Sequence, residues 1–422
     1  MKIRHLRWWI AALLLIISIK NYADRQMLPI LAPSIQAELH VSDQQYAGIL
    51  NLFLAAYTAS YLISGRLVDA WGSRVSLALF LGLWSVAGAL TGWARSAVSL
   101  GWLRFVFGLG EAGGYTASPK VVSEWFPQSE RGVAISLYSM GGAIGATIAP
   151  LATIALANWL GWRRAMIVAG AAGLAVIVPW LVFFRKPARH PWLTDAERGL
   201  IEAGQTATAA PLPEAQRWKL IVGSPAIWAL MVSRMLTDPV WYFFQFWMPK
   251  YLHVARGLSQ AQLGLMWVIF LAADFGFFGG GWASDRLVRH GRSGASARLR
   301  VMLVCAVVMP LAALIAPMPQ LAGVMAISMV IVLAHTAWLT NHNALVMDVV
   351  PAPIFGTAYG LISAGSAVGG ILMNQAVVWT VGAYSYDRCF YAMMVLHPLA
   401  FALVWRFARR PWTLPSPGLA IA

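Results

Sequence analysis

Hydrophobic positions in this chain fall in long uninterrupted runs, without the two-residue alternation of a half-buried strand or the single stripe of a soluble amphipathic helix. Each run is about 20 residues, the length a helix rising 1.5 Å per residue needs to cross a bilayer's hydrocarbon core. Twelve spans are predicted, near residues 8–31, 45–66, 75–94, 98–119, 132–157, 164–184, 223–249, 262–284, 299–317, 320–344, 356–380 and 388–406. A chain in lipid must satisfy its own backbone hydrogen bonds, and no barrel-like alternation is present, so the spans are read as helices. The predicted fold is an all-α integral membrane bundle of twelve transmembrane helices.

One polar stretch interrupts the pattern and divides it six plus six. The predicted organisation is an N-terminal six-helix bundle over 1–184, a central loop over 185–219 and a C-terminal six-helix bundle with a short tail over 220–422. Within the loop, Thr194-Asp195-Ala196-Glu197 predicts a capping box on a short surface helix, and Thr206 to Pro213 reads as linker. The halves echo each other. Gly65-Arg66-Leu67-Val68-Asp69-Ala70-Trp71-Gly72-Ser73-Arg74 follows the second span, and Gly281-Trp282-Ala283-Ser284-Asp285-Arg286 follows the eighth. An internal repeat of this kind is how many secondary transporters are built.

Composition agrees, with 59% of residues hydrophobic and 11% charged. The net charge of +15 raises nucleic-acid binding as an alternative, but the positions of the basic residues remove it. Lys2, Arg4, Arg7, Arg66, Arg74, Arg185, Lys186, Arg286, Arg289 and Arg298 share the side of the termini, and far fewer, such as Arg95, Arg163, Arg164 and Arg256, lie opposite. That asymmetry predicts both termini in the cytoplasm of a cell whose inner membrane holds the chain. The basic N-terminus is not read as a cleavable signal, because its apolar run continues into Asn21-Tyr22-Ala23-Asp24-Arg25. Cys305 and Cys389 fall in predicted spans and are read as buried thiols, and no cofactor is implied.

Against this apolar background the ionisable residues inside spans carry the chemistry, since burying them in lipid is costly. Asp24 and Arg25 lie in the first span; Arg104, Gly108, Glu111 and Tyr115 recur at helical spacing in the fourth and share one face. Placed by rise per residue, Asp24, Arg25 and Arg104 come to similar depth, with Glu111 about two turns further in. A guanidinium offers paired donors to a carboxylate. Burial disfavours the ionised form of a carboxyl, so such a group can take up a proton near neutral pH. Proton/anion symport fits this set. Lys20 is four residues before Asp24 and Arg234 four before Asp238, so each pair can also simply neutralise itself on one helix face.

The motif G-x-L-x-D-x-x-G-x-R over Gly65 to Arg74, with Arg104-x-x-x-Gly108, resembles the major facilitator superfamily. Asn21-Tyr22-Ala23-Asp24-Arg25-Gln26, Gly110-Glu111-Ala112-Gly113 and Glu124-Trp125-Phe126-Pro127 are similar to its anion:cation symporter family. Leu236-Thr237-Asp238-Pro239-Val240-Trp241, Ala272-Ala273-Asp274 and Ala334-His335-Thr336-Ala337-Trp338-Leu339-Thr340-Asn341 resemble the bacterial hexuronate branch. The resemblance implies proton-coupled uptake of an organic anion, most readily a hexuronate or related sugar acid, by alternating access in a protein that works as a monomer. It assigns proton carriage to Asp24 and Glu111, and substrate or coupling contacts to Arg25, Arg104 and Tyr57, with Tyr22 beside them. Trp241, Gln245, His335, Trp338, Asn341 and Asn374 are candidates for the substrate's other end, His335 having packing as its alternative. Asp69, Arg74, Asp285 and Arg286 are read as latches that gate access.

The fifth span departs from the branch, having Ser139-Met140-Gly141-Gly142-Ala143 where a polar run is common. Its glycines are expected to let helices approach closely. Fewer polar partners leave a less polar or aromatic carboxylate open as the alternative substrate. A membrane enzyme would need a convergent nucleophile or metal constellation, which the scattered histidines do not form, and a sensor would usually append a signalling domain. Efflux on the same fold would not require two buried arginines.

Overall fold

The computed structural model describes residues 2–127, 130–203, 214–351 and 354–409, so the linker at 206–213 and the end of the tail lie outside it. The helices are α1 (Leu6–Leu39), α2 (Asp43–Leu90), α3 (Ala97–Trp125), α4 (Arg131–Phe183), α5 (Asp195–Ala203), α6 (Glu214–Val222), α7 (Pro225–Phe246), α8 (Met248–Val254), α9 (Trp267–Arg289), α10 (Gly294–Val308), α11 (Leu321–Val349), α12 (Phe355–Ala383) and α13 (Asp387–Phe407). No strand is present among the described residues.

Two of these helices are pairs of rods. α2 breaks at Gly72 (φ 76°, ψ 158°) and α4 at Gly161 (φ 77°, ψ 158°). A side chain at that positive φ would crowd its own backbone, so each hairpin turns where the sequence supplies glycine. The second glycine of the motif over Gly65 to Arg74 therefore has a mechanical reason. With both rods counted, the long helices make the twelve spans of an all-α membrane bundle. Among the described residues, eight stretches are apolar and long enough to cross by composition alone. α3 and α7 are not among them, because they carry Arg104, Glu111, Arg234 and Asp238. The helices also run past the predicted boundaries, α1 to Leu39 and α2 back to Asp43, because polar helix ends continue beyond the hydrocarbon.

The chain forms two compact units, Met1–Thr208 with Phe244–Leu271, and Ala209–Phe243 with Ala272–Ala422. Each is closed by the same device. In the first, a Cβ on Gly141 would meet the Leu15 carbonyl at 2.7 Å and one on Gly145 the Ile19 carbonyl at 2.4 Å, so α4 lies directly on α1. In the second, Gly365 and Gly369 stand in the same relation to the carbonyls of Met231 and Met235, at 2.4 and 2.3 Å, so α12 lies on α7. Lipid supplies no hydrophobic drive between helices, and close backbone packing takes its place. Gly145→Ala should therefore lower the melting temperature in detergent, an overpacking cost of about 1–3 kcal/mol. Gly360→Ala, with nothing within 4 Å of its Cβ, should leave it unchanged.

α5 forms where the capping box predicts a helix, and Thr194 Oγ1 accepts from the Glu197 N–H at 3.3 Å. The other half of the box is spent elsewhere. Glu197 is buried and its carboxylate accepts from the N–H groups of Leu6 and Arg7, both at 3.1 Å, and from Arg7 Nη1 at 2.8 Å. It thus neutralises the open N-terminus of α1. Arg7 reaches on to Glu130 at 2.7 Å, tying α5, α1 and the start of α4. His190 accepts the Trp192 N–H at Nδ1 and donates from Nε2 to the Phe183 carbonyl, and burial pushes its imidazole below the usual range. Cys305 and Cys389 are buried free thiols.

Candidate functional site

Three helices of the first unit converge on one guanidinium. Arg25 of α1 donates from Nε to Glu111 Oε2 of α3 at 3.0 Å and from Nη2 to the Tyr57 hydroxyl of α2 at 2.9 Å. Its planar head lies over the rings of Tyr22 (4.7 Å) and Tyr57 (4.9 Å). The aromatic wall continues through Tyr61 beside Tyr57 and Tyr115 beside Tyr22. A cation between π-faces keeps favourable electrostatics after losing its water. Glu111 is 0% exposed, and its second oxygen, Oε1, has no hydrogen-bond partner.

The neighbouring groups are poised rather than saturated. Asp24 pairs with Lys20 one turn earlier, leaving Oδ2 buried without a partner. Arg104 is 5% exposed, rests on the Phe107 ring at 4.8 Å, and its Nε has no hydrogen-bond partner. Two small voids meet at this arginine. One is lined by Asp24, Thr91, Arg104 and Phe107, the other by Arg25, Leu50, Phe53, Arg104 and Phe246. The structure thus gathers Tyr22, Asp24, Arg25, Tyr57, Arg104 and Glu111 into one buried cluster. Gly142 lets it close, since a Cβ there would meet the Tyr22 ring at 2.7 Å.

The second unit has its own polar cluster. Arg234 and Asp238 form the ion pair within α7 that their spacing allows, at 2.8 Å, and Arg234 Nη1 donates to Asn343 Oδ1 at 2.9 Å. His335 of α11 lies parallel to Trp241 (6.0 Å, 10°) and is hydrogen-bonded to His397 of α13. Trp338 is fully buried against His397. Asn341 spends both amide hydrogens on the carbonyls of Gly280 and Ala337, tying α9 to α11 and leaving only Oδ1 open. Asn374 is fully buried in α12. Gln245, one turn beyond Trp241 on α7, belongs to the first unit, and both its amide atoms are buried without partners. His397 escaped the sequence reading; an ionisable residue before Pro398 in an apolar span was the available signal.

Among the expected latches, Asp285 pairs with Arg298 at 2.6 Å, while Arg286 lies over the Trp282 ring at 5.5 Å. Arg74 Nη2 donates to the Leu181 carbonyl at 2.5 Å, and the Arg74 carbonyl accepts from Trp180 Nε1, so it ties the two arms of α2 and α4. The side chain of Asp69 lies outside the described residues.

These features define a multi-pass membrane protein of two helical units, each with buried charge of its own. The Major Facilitator Superfamily profile matches residues 14–373, and the chain belongs to that family. It is 32% identical over 287 residues to the hexuronate transporter of Escherichia coli (strain K12), covering 67% of this chain and 66% of that protein. Identity to the galacturonate transporter of Dickeya chrysanthemi is 32% over 284 residues, covering 67% of this chain and 82% of that one. The crystal structure of a D-xylose-proton symporter superposes with a TM-score of 0.74 at 17% identity, over 96% of this chain and 99% of that one, which speaks to the fold alone.

Proposed function

We propose that this protein takes up a sugar acid, most readily a hexuronate, with protons across the inner membrane by alternating access, as a monomer with both termini in the cytoplasm. The observation that carries this reading is Arg25 held by Glu111 and Tyr57 in a buried aromatic cage with Arg104 alongside. A guanidinium held by an internal carboxylate is a carboxylate receptor already occupied by its own competitor. Protonation of Glu111 weakens that pair, and the substrate's carboxylate replaces it on Arg25, with Arg104 as the second donor. Proton and anion then enter together, because each makes the other's binding cheaper in a low-dielectric site. Asp24 is the second candidate proton carrier. The named sugar-acid carriers among the relatives support the substrate class.

A second reading, an aromatic carboxylate, is favoured by the Tyr22 and Tyr57 rings against Arg25, with Tyr115 and Tyr61 packed behind them. Counterflow of labelled D-galacturonate in proteoliposomes, challenged with unlabelled benzoate, separates the two. Arg25→Lys should weaken D-galacturonate binding about tenfold or more despite the retained charge, because an ammonium cannot reproduce the two-donor fork. Affinity within about twofold of the parent would remove Arg25 as the carboxylate clamp.

A further inference from the structure

The histidine pair of the second unit has a chemistry that the cluster around Arg25 does not use. His335 Nδ1 and His397 Nε2 are 3.1 Å apart, and both residues are 0% exposed. The rings are fixed from two sides. Trp241 lies parallel to His335, and the His397 ring meets the edges of both His335 (5.3 Å, 83°) and Trp338 (5.2 Å, 74°). The two outer nitrogens, His335 Nε2 and His397 Nδ1, are buried without any hydrogen-bond partner.

One hydrogen bond between two neutral imidazoles consumes one N–H and one lone pair. The outer nitrogens are therefore always of opposite character. If His335 donates, its Nε2 is a bare acceptor and His397 Nδ1 carries a hydrogen; if His397 donates, both are reversed. Leaving two such groups unpaired inside a bundle is costly, and a ligand that satisfies them recovers that cost. A carboxylate only accepts and an aromatic ring does neither, whereas a hydroxyl both donates and accepts and so serves either nitrogen in either tautomer. Of these four rings only Trp241 is partly exposed.

We infer that His335 and His397 form a hydroxyl-reading subsite that selects polyhydroxylated monocarboxylates over deoxygenated, aromatic or dicarboxylic acids, each presenting its outer nitrogen and fixing the ring and tautomer of the other. The inference rests on the sugar-acid reading above and sharpens its substrate class.

The test measures dissociation constants by titration calorimetry on the full-length protein, with D-galacturonate, hexanoate and galactarate as probes. The parent should bind D-galacturonate about tenfold or more tighter than either other acid. His397→Phe, which keeps a ring but removes the partner, should weaken D-galacturonate about tenfold and leave hexanoate within about twofold. His397→Gln, which retains a donor and an acceptor, should recover most of that loss. His335→Phe should match His397→Phe, and the double variant should be no worse than either. Equal losses for D-galacturonate and hexanoate, no loss in either single variant, or additive losses in the double variant would each overturn the subsite and leave the sugar-acid reading standing. If His397→Phe does not fold, the same outcomes on His335→Phe and His397→Gln decide. A parent that binds hexanoate as tightly as D-galacturonate would instead overturn the sugar-acid reading itself.

Discussion

Glu111→Gln should abolish accumulation driven by a pH gradient, by about 100-fold or more, while exchange of substrate across proteoliposomes persists. Glutamine keeps the size of the side chain and an oxygen that can accept from Arg25, so the local packing survives. What it loses is the cycle between charged and neutral forms. Glu111 is 0% exposed and is the carboxylate bonded to Arg25, so the variant also leaves a buried guanidinium without its counter-charge. Removing one partner of a buried pair strands the other, and an anionic substrate becomes the available replacement. Binding of D-galacturonate should therefore stay equal or tighten, and lose its dependence on pH. Unchanged pH-gradient-driven uptake by the variant would exclude Glu111 as the proton carrier. Unchanged uptake together with a lost pH dependence in Asp24→Asn would move the role to Asp24.

The features legible in the sequence were those set by local chemistry. Apolar runs gave the spans, Gly72 lay in the motif that turns α2, and spacings of four put Lys20 with Asp24 and Arg234 with Asp238 because a helix brings those positions together. Depth along the helices grouped Asp24, Arg25 and Arg104 and set Glu111 about two turns further in, without naming which arginine it meets. The long guanidinium closes that gap, and rise per residue does not measure side-chain reach. The His335 and His397 bond joins residues 62 apart on two helices, and no periodicity within α13 announces it. Likewise nothing in the pattern of Phe244–Leu271 assigns it to the first unit. Its anchors are single contacts, such as the Tyr46 hydroxyl donating to the Phe246 carbonyl at 3.0 Å.

Those anchors make the last prediction. At the end of α1 and the start of α2, Asp43 pairs with Lys250 and also accepts from Gln36 at 3.1 Å. Trp247 meets the Tyr46 ring edge-on at 5.4 Å, and Gln260 accepts from Ser34 at 3.1 Å while donating to the Ile30 carbonyl. If the alternating access proposed above opens the protein at this point, the segment parts from α1 and α2 in one of its states. Asp43 is 40% exposed at its side chain, so the ion pair alone contributes little, and Asp43→Asn should shift the balance of states by no more than about fivefold. Fixing the clasp covalently is a different matter. Cysteines at positions 43 and 250, with Cys305 and Cys389 replaced by alanine and the new pair bridged by a short bis-methanethiosulfonate, should stop transport until reductant is added. Each cysteine alone, treated identically, should remain active. Normal turnover in the bridged protein would mean that this segment travels with α1 and α2 through the whole cycle, and the opening would then have to occur elsewhere.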